Sequence, residues 1–166
     1  YEDIIRQDFC FRHTLDPLNQ ALKQEIGGKE SISVHIRRGD YLSDHKTSQI
    51  MNVCGLAYYL DAIHRVASVL GSPHLYIFSD DIQWVRDNLI VPYPKTYIEH
   101  NFGVNSYKDM QLMSACRHHI IANSSFSWWG AWLNTNPNKI VIAPKVWFVG
   151  GPQDTRDLIP ASWIRI

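Results

Sequence analysis

Short, nearly uninterrupted apolar runs alternate along the chain with longer stretches whose apolar residues recur every three or four positions. The first run reads as a buried strand over 31–36. Further strands follow at 75–78, 95–98, 119–122 and 139–143. Runs this short, without polar alternation, are the pattern of parallel strands covered on both faces. Between them the period lengthens. Asp16-Pro17 places an N-cap residue before a proline suited to a first helical turn, and Leu18, Leu22 and Ile26 continue on one face as far as Gly27-Gly28. Tyr59, Ile63, Val66 and Leu70 share a face of a helix over 56–70, which Gly71-Ser72-Pro73 ends. Ser79-Asp80-Asp81 caps a helix running to Leu89. Residues 106–117 form another, with Tyr107, Met110 and Met113 inward. Asn123-Ser124-Ser125 opens a helix carrying Phe126, Trp128, Trp129 and Trp132. Residues 37–49 read as a polar loop, and 144–166 as irregular chain with a short terminal helix.

Repeated strand–helix alternation predicts an α/β fold, a Rossmann-like doubly wound parallel sheet. The 166 residues suit one domain, 1–166, and no internal repeat or low-complexity linker divides them. A 45% hydrophobic content excludes a disordered tail. Sixteen basic and sixteen acidic residues cancel, which argues against a general nucleic-acid or anionic-membrane binder and still permits a local basic pocket. No apolar run approaches the roughly 20 residues of a membrane span. No signal peptide opens the chain, and the missing initiator Met fits a piece of a longer protein. Cys10, Cys54 and Cys116 show no C-x-x-C and read as buried free thiols of a reducing compartment; one disulfide plus a free thiol is the alternative. The eight histidines show no zinc spacing, and His118 and His119, adjacent on a strand, face opposite ways.

Ligands of such sheets sit beyond the carboxyl ends of the strands. Three clusters fall there. His35-Ile36-Arg37-Arg38-Gly39-Asp40 gathers two guanidiniums, whose forks match phosphate oxygens, with Asp40 placed to hold one of them. A solvated ion-pair loop is the plainer alternative. In Ser79-Asp80-Asp81 one carboxylate caps a helix, which leaves the other for a guanine edge or a ribose hydroxyl. Asn123-Ser124-Ser125-Phe126-Ser127 runs from a strand into a hydroxyl-rich helix start, suited to phosphate, and the tryptophans after it read as core before sugar platform. Neither a Walker loop nor G-x-G-x-x-G is present. Asn123-Ser124-Ser125 matches a glycosylation sequon, but it lies between a buried strand and a Trp-rich helix. Together the clusters predict a site for a phosphate-bearing nucleotide, an arginine clamp opposite a helix N-terminus.

Three blocks carry a family resemblance. Val34-His35-Ile36-Arg37-Arg38-Gly39-Asp40-Tyr41 resembles the H-x-R-R-x-D motif of the α-1,2- and α-1,6-fucosyltransferases. Phe78-Ser79-Asp80-Asp81 with Trp84-Val85 resembles their second motif. The block over 109–133, containing Asn123-Ser124-Ser125-Phe126-Ser127-Trp128-Trp129-Gly130, resembles the long third block of the α-1,2-fucosyltransferases of glycosyltransferase family 11. Asn134, Pro137, 139–145 and Trp147-Phe148 continue the likeness, which covers roughly 31–148.

The resemblance implies an inverting transfer of L-fucose from GDP-fucose to the 2-hydroxyl of a galactose-containing glycan. It implies the carboxyl-terminal, donor-binding half of a GT-B-like enzyme, with the amino-terminal acceptor lobe missing from this chain. Arg37 would be catalytic, holding the departing β-phosphate. Arg38 would support the loop or a second phosphate oxygen, with Asp40 beside them. His35 and one of Asp80 and Asp81 would lie near guanine or ribose, and Ser125, Phe126 and Ser127 would line the pyrophosphate. No cofactor or metal is expected, in line with the absence of D-x-D. Asp40 and Asp44 are candidates for the general base by position only. A non-catalytic nucleotide-sugar or glycan-binding module, and a transferase of another linkage, are the alternatives. The cytoplasm of a bacterium is the expected compartment, the Golgi lumen if the source is an animal.

Overall fold

The computed structural model describes residues 1–150 and 154–166. Strands β1 (Ser31–Ile36), β2 (His74–Ser79), β3 (Lys95–Ile98), β4 (His118–Ile120), β5 (Val141–Ala143) and β6 (Ile164–Arg165) form one sheet in the order β3-β2-β1-β4-β5-β6. Every neighbouring pair is parallel. Helices α1 (Glu2–Asp8), α2 (Pro17–Gly27), α3 (Gly39–Ser43), α4 (His45–Ser48), α5 (Leu56–Leu70), α6 (Ile82–Asn88), α7 (Tyr107–Ala115) and α8 (Ser125–Leu133) accompany it. This is the Rossmann-like doubly wound arrangement. Strand order reverses between β1 and β4, so the crevice beyond their carboxyl ends is where a ligand belongs.

Both faces of the sheet are covered, which is why all six residues of β1 are buried. Ile32, Val34 and Ile36 point to one face and meet Tyr59, Ile63 and Val66 of α5. Each such side chain stabilises the fold by about 1.5–3 kcal/mol. Tyr76, Phe78 and Ile98 point to the other face, against Ile26 of α2 and Leu112 and Met113 of α7. Helix α8 packs so closely on α7 that a Cβ on Gly130 would lie 2.9 Å from the Met113 Cβ. A third cluster joins Ile121, Ala131 and Val141 to Trp147, Ile159 and Trp163 of the last segment.

Several expectations shift. Asp16 caps α2 as predicted, accepting from the Asn19 amide at 3.1 Å. However, Leu18 is 56% exposed and Asn19 is buried instead, because its amide pairs with Asn101. The inward face of α7 is Gln111, Leu112 and Met113, with Met110 half-buried. The polar segment after β1 contains two short helices, the second capped by Asp44 through the Lys46 and Thr47 amides. Among the described residues beyond 144, a two-residue strand, β6, stands in place of a terminal helix. Residues 151–153 of that segment lie outside the described residues. Helix α1 went unpredicted because it buries no residue; it leans on α8 through Arg6 over Trp132 at 4.0 Å, and Phe9, just beyond it, stacks on Trp129 at 4.6 Å. The cysteines are all free, but Cys10 is exposed where a buried thiol was expected. Among the described residues no helix is long and apolar enough to cross a membrane.

Candidate functional site

The site grows from the end of β1. His35 sits beside Phe78 in register, on the sheet face that carries α7. Its ring is 6% exposed and lies 5.7 Å from Phe126 at the start of α8. Burial, aided by the positive Arg37, pushes its pKa down to about 3, so the ring is neutral. Its Nδ1 is buried without a hydrogen-bond partner among the described residues.

Beyond Ile36 the chain turns, and the turn is held by carboxylates. Arg37 Nη2 meets Asp40 at 2.8 Å and its Nη1 meets Asp80 at 3.2 Å. Arg38 Nε donates to Asp81 at 3.1 Å, and its guanidinium lies over the Trp84 ring at 3.6 Å. Asp80 also accepts the amides of Arg38 and Gly39, at 2.9 and 3.0 Å. Asp81 caps α6 through the Trp84 amide. The sequence left one of these two carboxylates for a ligand. Asp81 does cap, but Asp80 is occupied as well, with the turn after β1. Two guanidiniums thus face three carboxylates, and an incoming anion competes with acids already in place.

The third cluster reaches the same edge from β4. Ser124 leads into α8 without a side-chain cap bond, so the first-turn amides of the helix keep their capacity to bind an anion. Ser125 is exposed and Phe126 half-buried. Ser127 is placed differently from the expectation. It is buried, and its hydroxyl donates to the carbonyls of Ala122 and Ser124. Asn123 is fully buried and gives its amide hydrogens to Asn52 and Trp147 carbonyls, which leaves no place for a glycan. Tyr41 ties the two halves together by donating from its hydroxyl to the Asn123 carbonyl at 3.0 Å.

The structure therefore gathers His35, Arg37, Arg38, Asp40, Asp80, Asp81, Ser125 and Phe126 at one edge and withdraws Ser127 into the interior. Tyr41 and Trp84 belong to the edge although no role was read for them. Both stand inside the motif blocks, but their contacts depend on other strands. Asp109, at the start of α7, is a further omission. It accepts from Asn101 at 2.7 Å, and burial raises its pKa to about 6. Among the described residues no group of three or more His, Cys, Asp or Glu side chains is arranged to share a metal ion. A cavity of about 370 Å³ lined by Trp128, Trp129, Trp132 and Arg156 lies beside α1, and neither Arg37 nor Arg38 lines it. Trp129 is stacked by Phe9, and Trp128 packs on Trp163, so these rings serve the fold.

Comparison with known proteins places this edge in context. Residues 5–165 match the family described as Glycosyl transferase family 11. An O-antigen biosynthesis glycosyltransferase of Escherichia coli is 42% identical over 135 residues, 81% of this chain and 44% of that protein. An alpha-1,2-colitosyltransferase of Escherichia coli is 38% identical over 164 residues, 93% of this chain and 56% of that protein. A galactoside alpha-(1,2)-fucosyltransferase of Mus musculus is 28% identical over 106 residues, 61% of this chain and 30% of that protein. The chain spans about half the length of the two bacterial relatives. A match over nearly the whole sequence, on a parallel sheet with an arginine turn at its switch point, makes this chain a member of glycosyl transferase family 11.

Proposed function

We propose that this chain binds the donor of a 6-deoxysugar transferase and stabilises the leaving group as the sugar moves to the 2-hydroxyl of a galactoside with inversion. GDP-fucose is the proposed donor. The likeness to an alpha-1,2-colitosyltransferase also admits a colitose donor. The observation that carries the reading is the placement of Arg37. Its guanidinium stands at the carboxyl end of β1, across the switch point from the start of α8.

The chemistry suits that placement. Breaking the sugar–phosphate bond leaves positive charge on the sugar ring and negative charge on the diphosphate. A guanidinium already in position stabilises the second charge where it develops. The first-turn amides of α8 add partial positive charge on the opposite side. Arg38, sandwiched between Asp81 and Trp84, steadies the turn. In this reading the cations of the chain do the work, and no divalent metal is required. The acceptor hydroxyl surrenders its proton to a base that we leave unassigned. Acceptor recognition is ascribed to the remaining length of the whole protein. The bacterial relatives favour a cytoplasmic setting.

Calorimetric titration of the chain with GDP, with and without EDTA and with ADP as control, tests the reading. The expected result is a Kd on the order of micromolar that EDTA leaves unchanged, weaker ADP binding, and loss of about tenfold or more in Arg37→Ala. Equal affinity for ADP, or full GDP affinity in Arg37→Ala, would overturn it.

A further inference from the structure

Among the described residues, no hydrogen bond or ion pair of the Asp80 side chain goes to the strand or helix it separates. Its two oxygens receive three donors from three consecutive residues of another strand's end: the Arg37 guanidinium and the amides of Arg38 and Gly39. Those amides have left the sheet and have no ladder partner, so each needs an acceptor. The fit between carboxylate and turn is close. A Cβ on Gly39 would lie 2.7 Å from Asp80 Oδ2 and only 3.2 Å from its Cγ. No residue larger than glycine fits there without moving the acid. Register explains how the two meet. His35 pairs with Phe78 and Ile36 with Ser79, so the residues just past β2 stand beside those just past β1.

We infer that Asp80 is a positioning residue: it holds the Arg37 guanidinium and the backbone turn that carries it, and touches neither sugar nor base. Arg37 has a second acid, and the contrast is informative. Asp40 lies on the same short turn, is 49% exposed in its side chain, and is held by the Arg37 ion pair at 2.8 Å. A phosphate can displace Asp40 and leave the turn intact. Displacing Asp80 strips two amides of their acceptor at once. Asp80 is thus the fixed support and Asp40 the exchangeable one. A guanidinium ordered in advance loses less freedom when the anion arrives, so affinity for the distal phosphate rises without a new contact.

The consequence for nucleotide binding rests on the donor reading above; the geometric claim does not. Asp80→Asn removes the charge and one acceptor set while keeping the size. Two measurements on the chain separate the possibilities. Side-chain nitrogen NMR of Arg37 should show a restricted guanidinium in the parent and an averaged one in Asp80→Asn. Titration should show GDP binding weakened about tenfold and GMP binding changed less than about twofold. The double variant Arg37→Ala/Asp80→Asn should bind GDP no more weakly than Arg37→Ala alone. Gly39→Ala keeps the acid and pushes it off the turn; it should reproduce the selective loss in smaller measure, and it decides the matter if Asp80→Asn does not fold. An Arg37 that stays restricted, equal losses for GDP and GMP, or additive losses in the double variant would overturn the inference. Failure of the parent to bind GDP would remove the donor reading, and the NMR result would still decide the positioning role.

Discussion

Two histidines on adjacent strands show how the interior of the sheet differs from its carboxyl edge. His35 on β1 and His119 on β4 are both buried. Burial pushes both pKa values down to about 3, with Arg37 assisting at the first and Lys139 at the second. Their partners differ. His119 accepts from the Asn134 amide at 2.7 Å, and its Nδ1 pairs with the Ser33 hydroxyl at 2.8 Å. Asn134 in turn donates to the Cys116 carbonyl. His35 Nδ1 has no hydrogen-bond partner among the described residues. Buried polar groups are almost always satisfied, so an exception calls for a reason. In the sheet interior both ring nitrogens of His119 are satisfied by protein groups, although Tyr59 Oη and Gln111 Oε1 are buried without a hydrogen-bond partner among the described residues. At the edge one nitrogen is left over, beside a cation and facing the first turn of α8. Similar burial therefore gives similar pKa values with different surroundings: one ring is bonded into the fold, and the other keeps a nitrogen that the donor-binding proposal assigns to a ligand.

The largest effect should come from breaking the satisfied histidine. His119→Ala removes the buried partner of the Ser33 hydroxyl and one of the partners of Asn134 and leaves a cavity, and should cost about 3 kcal/mol in denaturant-induced unfolding at neutral pH. GDP affinity of the folded fraction should stay within about twofold. His35→Ala breaks no observed hydrogen bond, so it should cost less stability and weaken GDP binding more. The opposite ranking in either assay would show that the two rings have been assigned the wrong way round.

Next in size is acid sensitivity, which the two rings should share. Each takes up a proton more readily in the unfolded chain, where its pKa is near 6.5, than in the folded one. Their contribution is therefore full above about pH 6.5 and falls as pH drops toward 3. By about pH 5 each ring should have removed about 2 kcal/mol. His119→Gln cannot charge, and should lose that share of the slope in unfolding curves taken from about pH 7.5 to 5. An unchanged slope would mean that other groups carry the acid response.

Much of this was legible in the chain itself. The bounds of β1, β3 and α5 coincide with their apolar runs, because a fully buried strand or a one-faced helix is written locally. The three clusters at the strand ends were also readable, since strand–turn–helix order alone puts them on one edge. What each acid does there was not. An Asp before a helix reads as a cap, and Asp81 obeys that rule. Asp80 instead serves a turn 41 residues earlier, through a β1–β2 register that no local spacing encodes. Asn19 replaced Leu18 on the inner face of α2 for a similar reason, as its partner Asn101 is 82 residues away. Ser127 looked like a phosphate ligand by composition, but its place in the first turn of α8 aims it back at carbonyls.

The network of Asn19 and Asn101 offers the finest test, because it holds two carboxylates pushed in opposite directions. Asp16 accepts from Asn19 and Lys108, which hold it well below the usual range. Asp109 shares the bridging Asn101 but has no ion pair among the described residues, and burial raises it to about 6. The raised value means that the folded chain binds this proton more tightly than the unfolded one. The contribution is favourable below the ordinary value of 3.8 and is lost as pH rises through 6. Asp109→Asn keeps an oxygen for the Asn101 amide and removes the buried charge. It should raise stability by about 1 kcal/mol near pH 8, less than the full shift implies because the carboxylate keeps some contact with solvent. Near pH 4 the gain should vanish. Unfolding curves at the two pH values check this. A gain present at both would trace to packing. A gain only at the higher pH would show a buried carboxylate kept against the interest of the fold.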